Sequence, residues 1–180
     1  MSRRVVASIE GELRRYKGLA EGAVEQIDDV ALAVPRPGGG NAIAVVLQHL
    51  AGNLASRFTD FLTTDGEKPW RRRDEEFAPG LLTRDELLER WERGWGLLFG
   101  ALAELTDDDL DREVRIRGVA LSVAEALHRA LAHVAYHVGQ IVQSAREAAG
   151  DGWRFLSIPP GGTEEYNRNP TREKAPGPKE

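Results

Sequence analysis

Apolar residues recur at helical spacing in four long stretches of this chain. In the first, Ile9, Leu13, Tyr16, Ala20, Ala23, Val24 and Ile27 share a face, which predicts a helix from about residue 2 to 32. Pro35 and Pro37 forbid its continuation, and Gly38-Gly39-Gly40 loosen the link. Asn41 suits the N-cap of a second helix, Ala42 to about Leu62, whose apolar face carries Val46, Leu47, Leu50, Leu54, Phe58 and Phe61. Thr83 to Glu86 is a capping box that opens a third helix to about Leu105, burying Leu87, Leu88, Trp91, Trp95, Leu98 and Leu102. Gly94, Gly96 and Gly100 each cost that helix about 1 kcal/mol relative to Ala, and close helix packing is one explanation. A second capping box, Ser122 to Glu125, starts a fourth helix that runs to about Glu147 and closes at Gly150.

The connections are more polar. Thr63 to Leu82 reads as a long loop broken by Asp65-Gly66, Pro69 and Pro79, and Trp70 and Phe77 favour a packed loop over a disordered one. Val114 and Ile116 alternate with Glu113, Arg115 and Arg117 as in a short extended stretch. Trp153, Phe155, Leu156 and Ile158 suit an extended tail docked on the body, before Pro159-Pro160-Gly161-Gly162 turns the chain. Pro170 to Glu180 has the composition of a disordered tail. These elements predict an all-α four-helix bundle over 1–169, with a long loop after the second helix and a disordered tail over 170–180.

Composition narrows the function. The chain has 180 residues, enough for a core that needs no disulfide or metal to fold. It has no cysteine, so a thiol could take part only as a substrate. The net charge of -5 argues against nucleic-acid binding, and the basic run Arg71-Arg72-Arg73 is followed at once by Asp74-Glu75-Glu76. The longest apolar stretch, Ala42 to Leu47, is too short to span a membrane, and no signal peptide is visible; a cytoplasmic protein is expected.

The candidate chemistry is imidazole. His133 and His137 lie four apart on the fourth helix, about 40° apart around its axis, and can converge on one ion. Arg129, Gln140 and Ser144 share their stripe, at the edge of the apolar face, while His128 points away. Two separate core-edge histidines would show the same spacing. On the second helix, His49, Asn53, Arg57 and Asp60 form a polar stripe that reads either as a third ligand with attendant groups or as a solvated face. Three imidazoles leave zinc or nickel with open positions, where a water or a thiol can be activated. The pattern His-Glu-x-x-His of zinc proteases is absent, so the helix offers no adjacent glutamate as general base, which favours transfer over hydrolysis. Arg57 and Arg129 are candidates to bind an anionic group of the substrate.

Four stretches resemble the DinB/YfiT-like superfamily, and look closest to one of its uncharacterised branches. They are Gln48 to Asn53, Ser56 to Trp70, Ala132 to Ile141, and Ser157 to Asn167. The resemblance implies a four-helix bundle, often a homodimer, holding one divalent metal ion through one histidine of the second helix and two of the fourth. These positions are His49, His133 and His137. It also implies a small-molecule substrate: members include transferases and isomerases that use low-molecular-weight thiols, and others are described as metal-dependent hydrolases. On the loop and tail, Asp65, Lys68, Trp70, Arg73, Tyr166 and Asn167 either line the mouth of the site or serve the structure, with Arg57 paired to Asp60 or Asp65.

Overall fold

The computed structural model describes residues 2–78 and 82–171, and the architecture is predominantly helical with one minor two-stranded sheet. The first predicted helix is in fact two. α1 spans Arg4–Val24, and α2 spans Asp29–Ala33. The break falls at Asp28, whose extended backbone and side chain, accepting from Ala31 N at 2.8 Å, start a new helix. The glycine link folds back through an Arg36–Gly40 bridge, with Gly38 and Gly39 at positive φ.

α3 spans Ile43–Phe58. Its N-cap is Ala42, with no side-chain cap, so Asn41 does not take the role its type suggests. The helix also stops four residues before Leu62, because Asp60 adopts φ of 48° and turns the chain away. α4 (Arg84–Ala103) and α5 (Val123–Ala149) both open on the capping boxes that the sequence marks. α3 lies along α4, α1 lies along α5, and α3 meets α5 across the centre. Leu13, Leu47, Leu50, Leu54, Trp91, Trp95, Leu98, Leu127, Val134 and Ile141 form one dry core, each contributing on the order of 1.5–3 kcal/mol by its burial. A Cβ at Gly94 would stand 2.7 Å from the Ala51 carbonyl oxygen, so this glycine sets the α3–α4 approach. Gly96 and Gly100 meet nothing, and packing does not explain them.

The extended stretch before α5 is half of a hairpin. β1 (Glu113–Ile116) pairs antiparallel with β2 (Val119–Ser122), Val114 opposite Leu121. Arg117 and Gly118, both at positive φ, make the two-residue turn. Asp65 latches this turn to the loop after α3: its carboxylate accepts from Arg117 N at 2.8 Å and Gly118 N at 2.7 Å, and Gly66 N donates to Arg115 O at 2.7 Å. The same loop returns across α3, where Arg73–Phe77 form a single 3-10 turn.

The tail is not wholly extended. Gln26 exchanges two hydrogen bonds with the Arg154 backbone, Leu156 packs on Gly22, and Thr163–Arg168 form a short helix, α6. Of the stretch expected to be disordered, 172–180 lies outside the described residues, as does Pro79. Among the described residues no helix is long and apolar enough to cross a membrane.

Candidate metal centre

His49 projects from the middle of α3, and His133 and His137 from successive turns of α5, where the two helices face each other. One ring nitrogen from each lies within 4.8 Å of the others. His49 Nε2 and His133 Nε2 are 3.3 Å apart. Two nitrogens on a tetrahedral zinc, at bonds of about 2.0–2.1 Å, sit roughly 3.3–3.4 Å apart. The His49–His133 pair therefore already has the spacing of two ligands, with the His137 nitrogen within 4.8 Å of both.

The outer nitrogens fix which way the lone pairs point. His49 Nδ1 lies 2.9 Å from the Glu76 carboxylate. A carboxylate accepts only, so Nδ1 carries a proton, and in the neutral ring the Nε2 lone pair faces the centre. Glu76 is gripped in turn by Arg71, whose Nε and Nη2 donate to the two carboxylate oxygens at 2.8 and 2.9 Å. Burial pushes the Glu76 carboxyl up, but the hydrogen bonds from His49 and Arg71 and the Arg71 charge outweigh it and hold the group below its ordinary value. On α5, His137 Nδ1 meets Gln140 Oε1 at 2.9 Å and is oriented the same way. Carboxylate and amide partners of this kind fix ring orientation and raise the basicity of a metal ligand.

Burial favours the neutral form of both α5 histidines. Burial, then the neighbouring His137 and His49, lower His133 to about 4. Burial also lowers His137, against the opposing pull of Gln140. Neutral imidazoles with inward lone pairs are the donor set a divalent ion such as zinc or nickel requires, so the residues fit the ion. Phe77 lies against the His49 ring, centroids 4.8 Å apart.

A cavity of about 300 Å³ opens beside His49 and His133. Asn53 and Arg57 continue the α3 stripe into it, Arg129 enters from α5, and the hairpin forms its far wall through Val114 to Arg117. His137 is not among its lining residues. Arg57 is mostly buried, and its guanidinium is shared between Gly66 O, Ser56 Oγ and the Glu67 carboxylate. Its sequence-predicted partners Asp60 and Asp65 are not its ion pair; Glu67 is.

Other expected site residues go elsewhere. Asp65 caps the hairpin turn. Lys68 is buried but spends its ammonium on Thr64 Oγ1 and the Asp65 carbonyl. Trp70 is exposed and belongs to a separate groove on the far side of Arg71. Tyr166 and Asn167 lie on α6 and do not line the cavity. Glu76 and Arg71 were invisible as site residues. Their charges read as a locally neutralised run, and only the returning loop reveals that they meet His49.

Fold and site together define a helical protein with a three-histidine cluster at the edge of its core, able to hold a divalent ion. The chain belongs to the family described as Protein of unknown function (DUF1572), which matches residues 1–162, in keeping with a DinB-like branch of unknown function. No curated protein and no solved structure matches it.

Proposed function

We propose that this chain is a DinB-like four-helix-bundle enzyme that binds one divalent ion, zinc or nickel, through His49, His133 and His137 and transfers a low-molecular-weight thiol to a small electrophile. The observation that carries the reading is the 3.3 Å approach of two imidazole Nε2 atoms, one of them backed by Glu76. A bound ion of this kind supplies Lewis acidity that turns a thiol or a water into a nucleophile near neutral pH. Arg71 holds Glu76, and Glu76 holds the His49 proton on Nδ1, so the ligand lone pair stays aimed inward. The hairpin and Phe58, Phe61 and Ala126 shield the reacting end of a substrate in the cavity from water.

Hydrolysis is the second reading, and one feature weighs against it. No carboxylate lines the cavity among the described residues, and Glu76 is committed to His49 and Arg71. A thiol, which ionises far more readily than water, asks less of the ion and depends less on a general base than a water nucleophile does. The chain has no cysteine, so the thiol comes as a substrate. The family likeness adds a homodimer, which sedimentation tests directly.

The experiment is elemental analysis of protein purified without a histidine tag, followed by a screen of thiols against electrophiles with wild type and His137→Ala. The expected result is one zinc or nickel per chain and turnover that disappears in the folded variant. Protein that arrives without metal and takes up neither ion overturns the reading.

A further inference from the structure

The cavity beside the histidines is unusual in its charge. Arg57, Arg71, Arg73, Arg115, Arg117 and Arg129 all line it, and no carboxylate does, in a chain whose net charge is -5. Four acids pair with these six cations from outside the lining: Glu76 with Arg71, Glu113 with Arg115, Asp74 with Arg73, and Glu67 shared between Arg57 and Arg117. Counted by ion pair, two positive charges are left over; the Asp65 carboxylate on the hairpin turn also feels Arg57, but the Lys68 ammonium beside it adds a cation in return. Arg129 has no acidic partner among the described residues, and Glu67 must serve two guanidinium groups with one oxygen, at 3.1 Å from Arg57 Nη2 and 3.0 Å from Arg117 Nε.

Two of the arginines are built in and not merely exposed. The Arg71 side chain is 2% exposed, yet its Nη1 makes no hydrogen bond to a described residue, because the fork on Glu76 uses Nε and Nη2. The Arg57 side chain is 13% exposed and fixed by Ser56 and Gly66. Both guanidinium groups are therefore fixed in place before any ligand arrives, which spares an anion the cost of ordering them. Guanidinium groups converging from a helix, a hairpin and a loop match compact oxyanions, which accept two hydrogen bonds from each fork.

We propose that this cavity is a subsite for a doubly anionic head group, a phosphoryl or dicarboxylate, gripped by Arg57, Arg117 and Arg129 while the rest of the molecule reaches His49 and His133. This rests on the proposed enzymatic reading for the role of the substrate, but the binding of the anion does not depend on the ion. Glu67 is the competitor: an entering dianion takes its place between Arg57 and Arg117. Single charges fit poorly, because a lone carboxylate would only replace Glu67, and a second negative charge is what the surplus requires.

The test is calorimetric titration of the full-length protein at constant ionic strength with inorganic phosphate, succinate and acetate, each with and without prior chelator treatment. Phosphate or succinate is expected to bind both forms, and which of them binds more tightly identifies the head group; acetate is expected to bind at least about tenfold more weakly than the better of the two. Arg117→Gln and Arg129→Gln, both at exposed positions that leave the core intact, each weaken binding by about tenfold, the loss of one charge-assisted contact. Glu67→Gln tightens it. Acetate binding as well as the dianions, or arginine variants that bind like wild type, overturns the proposal. Binding that vanishes on chelation also overturns it, since the anion would then be a ligand of the ion. Anion binding in a protein that takes up no zinc or nickel leaves the subsite standing and removes the enzymatic reading.

Discussion

Glu76 reaches His49 from twenty-seven residues along the chain and accepts its Nδ1 proton at 2.9 Å, in a pocket where both side chains are more than nine-tenths buried. A buried carboxylate is costly on its own, and here Arg71 neutralises it through two parallel bonds. The triad Arg71, Glu76 and His49 thus links a loop of high charge to the one histidine that α3 contributes.

Glu76→Gln keeps the size of the side chain but removes the charge that holds His49. Metal affinity is expected to fall about 10–100-fold, the usual cost of losing a partner of this type. Competition against a chelator of known strength measures it. An unchanged affinity would show that Glu76 serves only the loop.

Gly52 offers a way to move Glu76 without touching its chemistry. A Cβ there would overlap the Glu76 carboxylate, at 2.8 Å from its Cδ. Gly52→Ala is expected to reproduce the loss of metal affinity in a protein that remains folded. Gly94→Ala is the contrast: its clash is with the Ala51 backbone, so it should cost about 1–3 kcal/mol of stability and spare the affinity of the folded fraction. Denaturant melts alongside the chelator competition separate the two.

Acid should destabilise the metal-free protein through His133. Burial and the two neighbouring imidazoles lower it to about 4 in the fold, against an ordinary value of 6.5. Between those values the unfolded chain binds a proton that the folded chain refuses. Stability therefore falls as pH drops from 6.5 to 4 and is unaffected by this group above 6.5. Urea midpoints in chelator across that range, for wild type and His133→Gln, give the measurement. Other groups titrate in both proteins, so the difference between the curves isolates His133, and parallel curves would refute the assignment.

Much of this was readable in the residues. The four long helices follow from Leu13, Leu50, Trp95 and Val134 and their neighbours recurring at helical spacing, and both capping boxes start helices where expected. The proximity of His133 and His137 follows from helical geometry alone; that of His49 came from the family resemblance, because its polar stripe on the second helix reads equally as a solvated face. What could not be read is what the loop does. Glu76 ends a run of three arginines followed by three acids whose local neutralisation is a sound inference, yet the pair that forms, Arg71 with Glu76, is turned inward onto α3. The partner of Arg57 was missed for the same reason: Glu67, not Asp65, faces it once Asp65 is drawn to the hairpin turn. Arg117-Gly118 is the only local trace of that turn, and β2 lacks the alternation that marks β1. Both errors come from contacts across the fold that no spacing along the chain encodes.

The metal should contribute stability without being the scaffold. The cluster lies at the edge of the structure, while Leu47, Leu54, Trp95 and Leu98 form a core that closes without it. An ion present at about 1,000 times its dissociation constant adds about 4 kcal/mol by mass action. For a chain of this size that corresponds to about 8–16 °C in Tm, at about 2–4 °C per kcal/mol. Chelation is therefore expected to lower Tm by that order and leave a single cooperative transition with native helical content at 25 °C. His137→Ala should match the chelated wild type and gain nothing from added zinc or nickel. A protein that loses its helical signal at 25 °C on chelation would make the ion a structural element, and the open coordination on which the proposed chemistry depends would have no independent support.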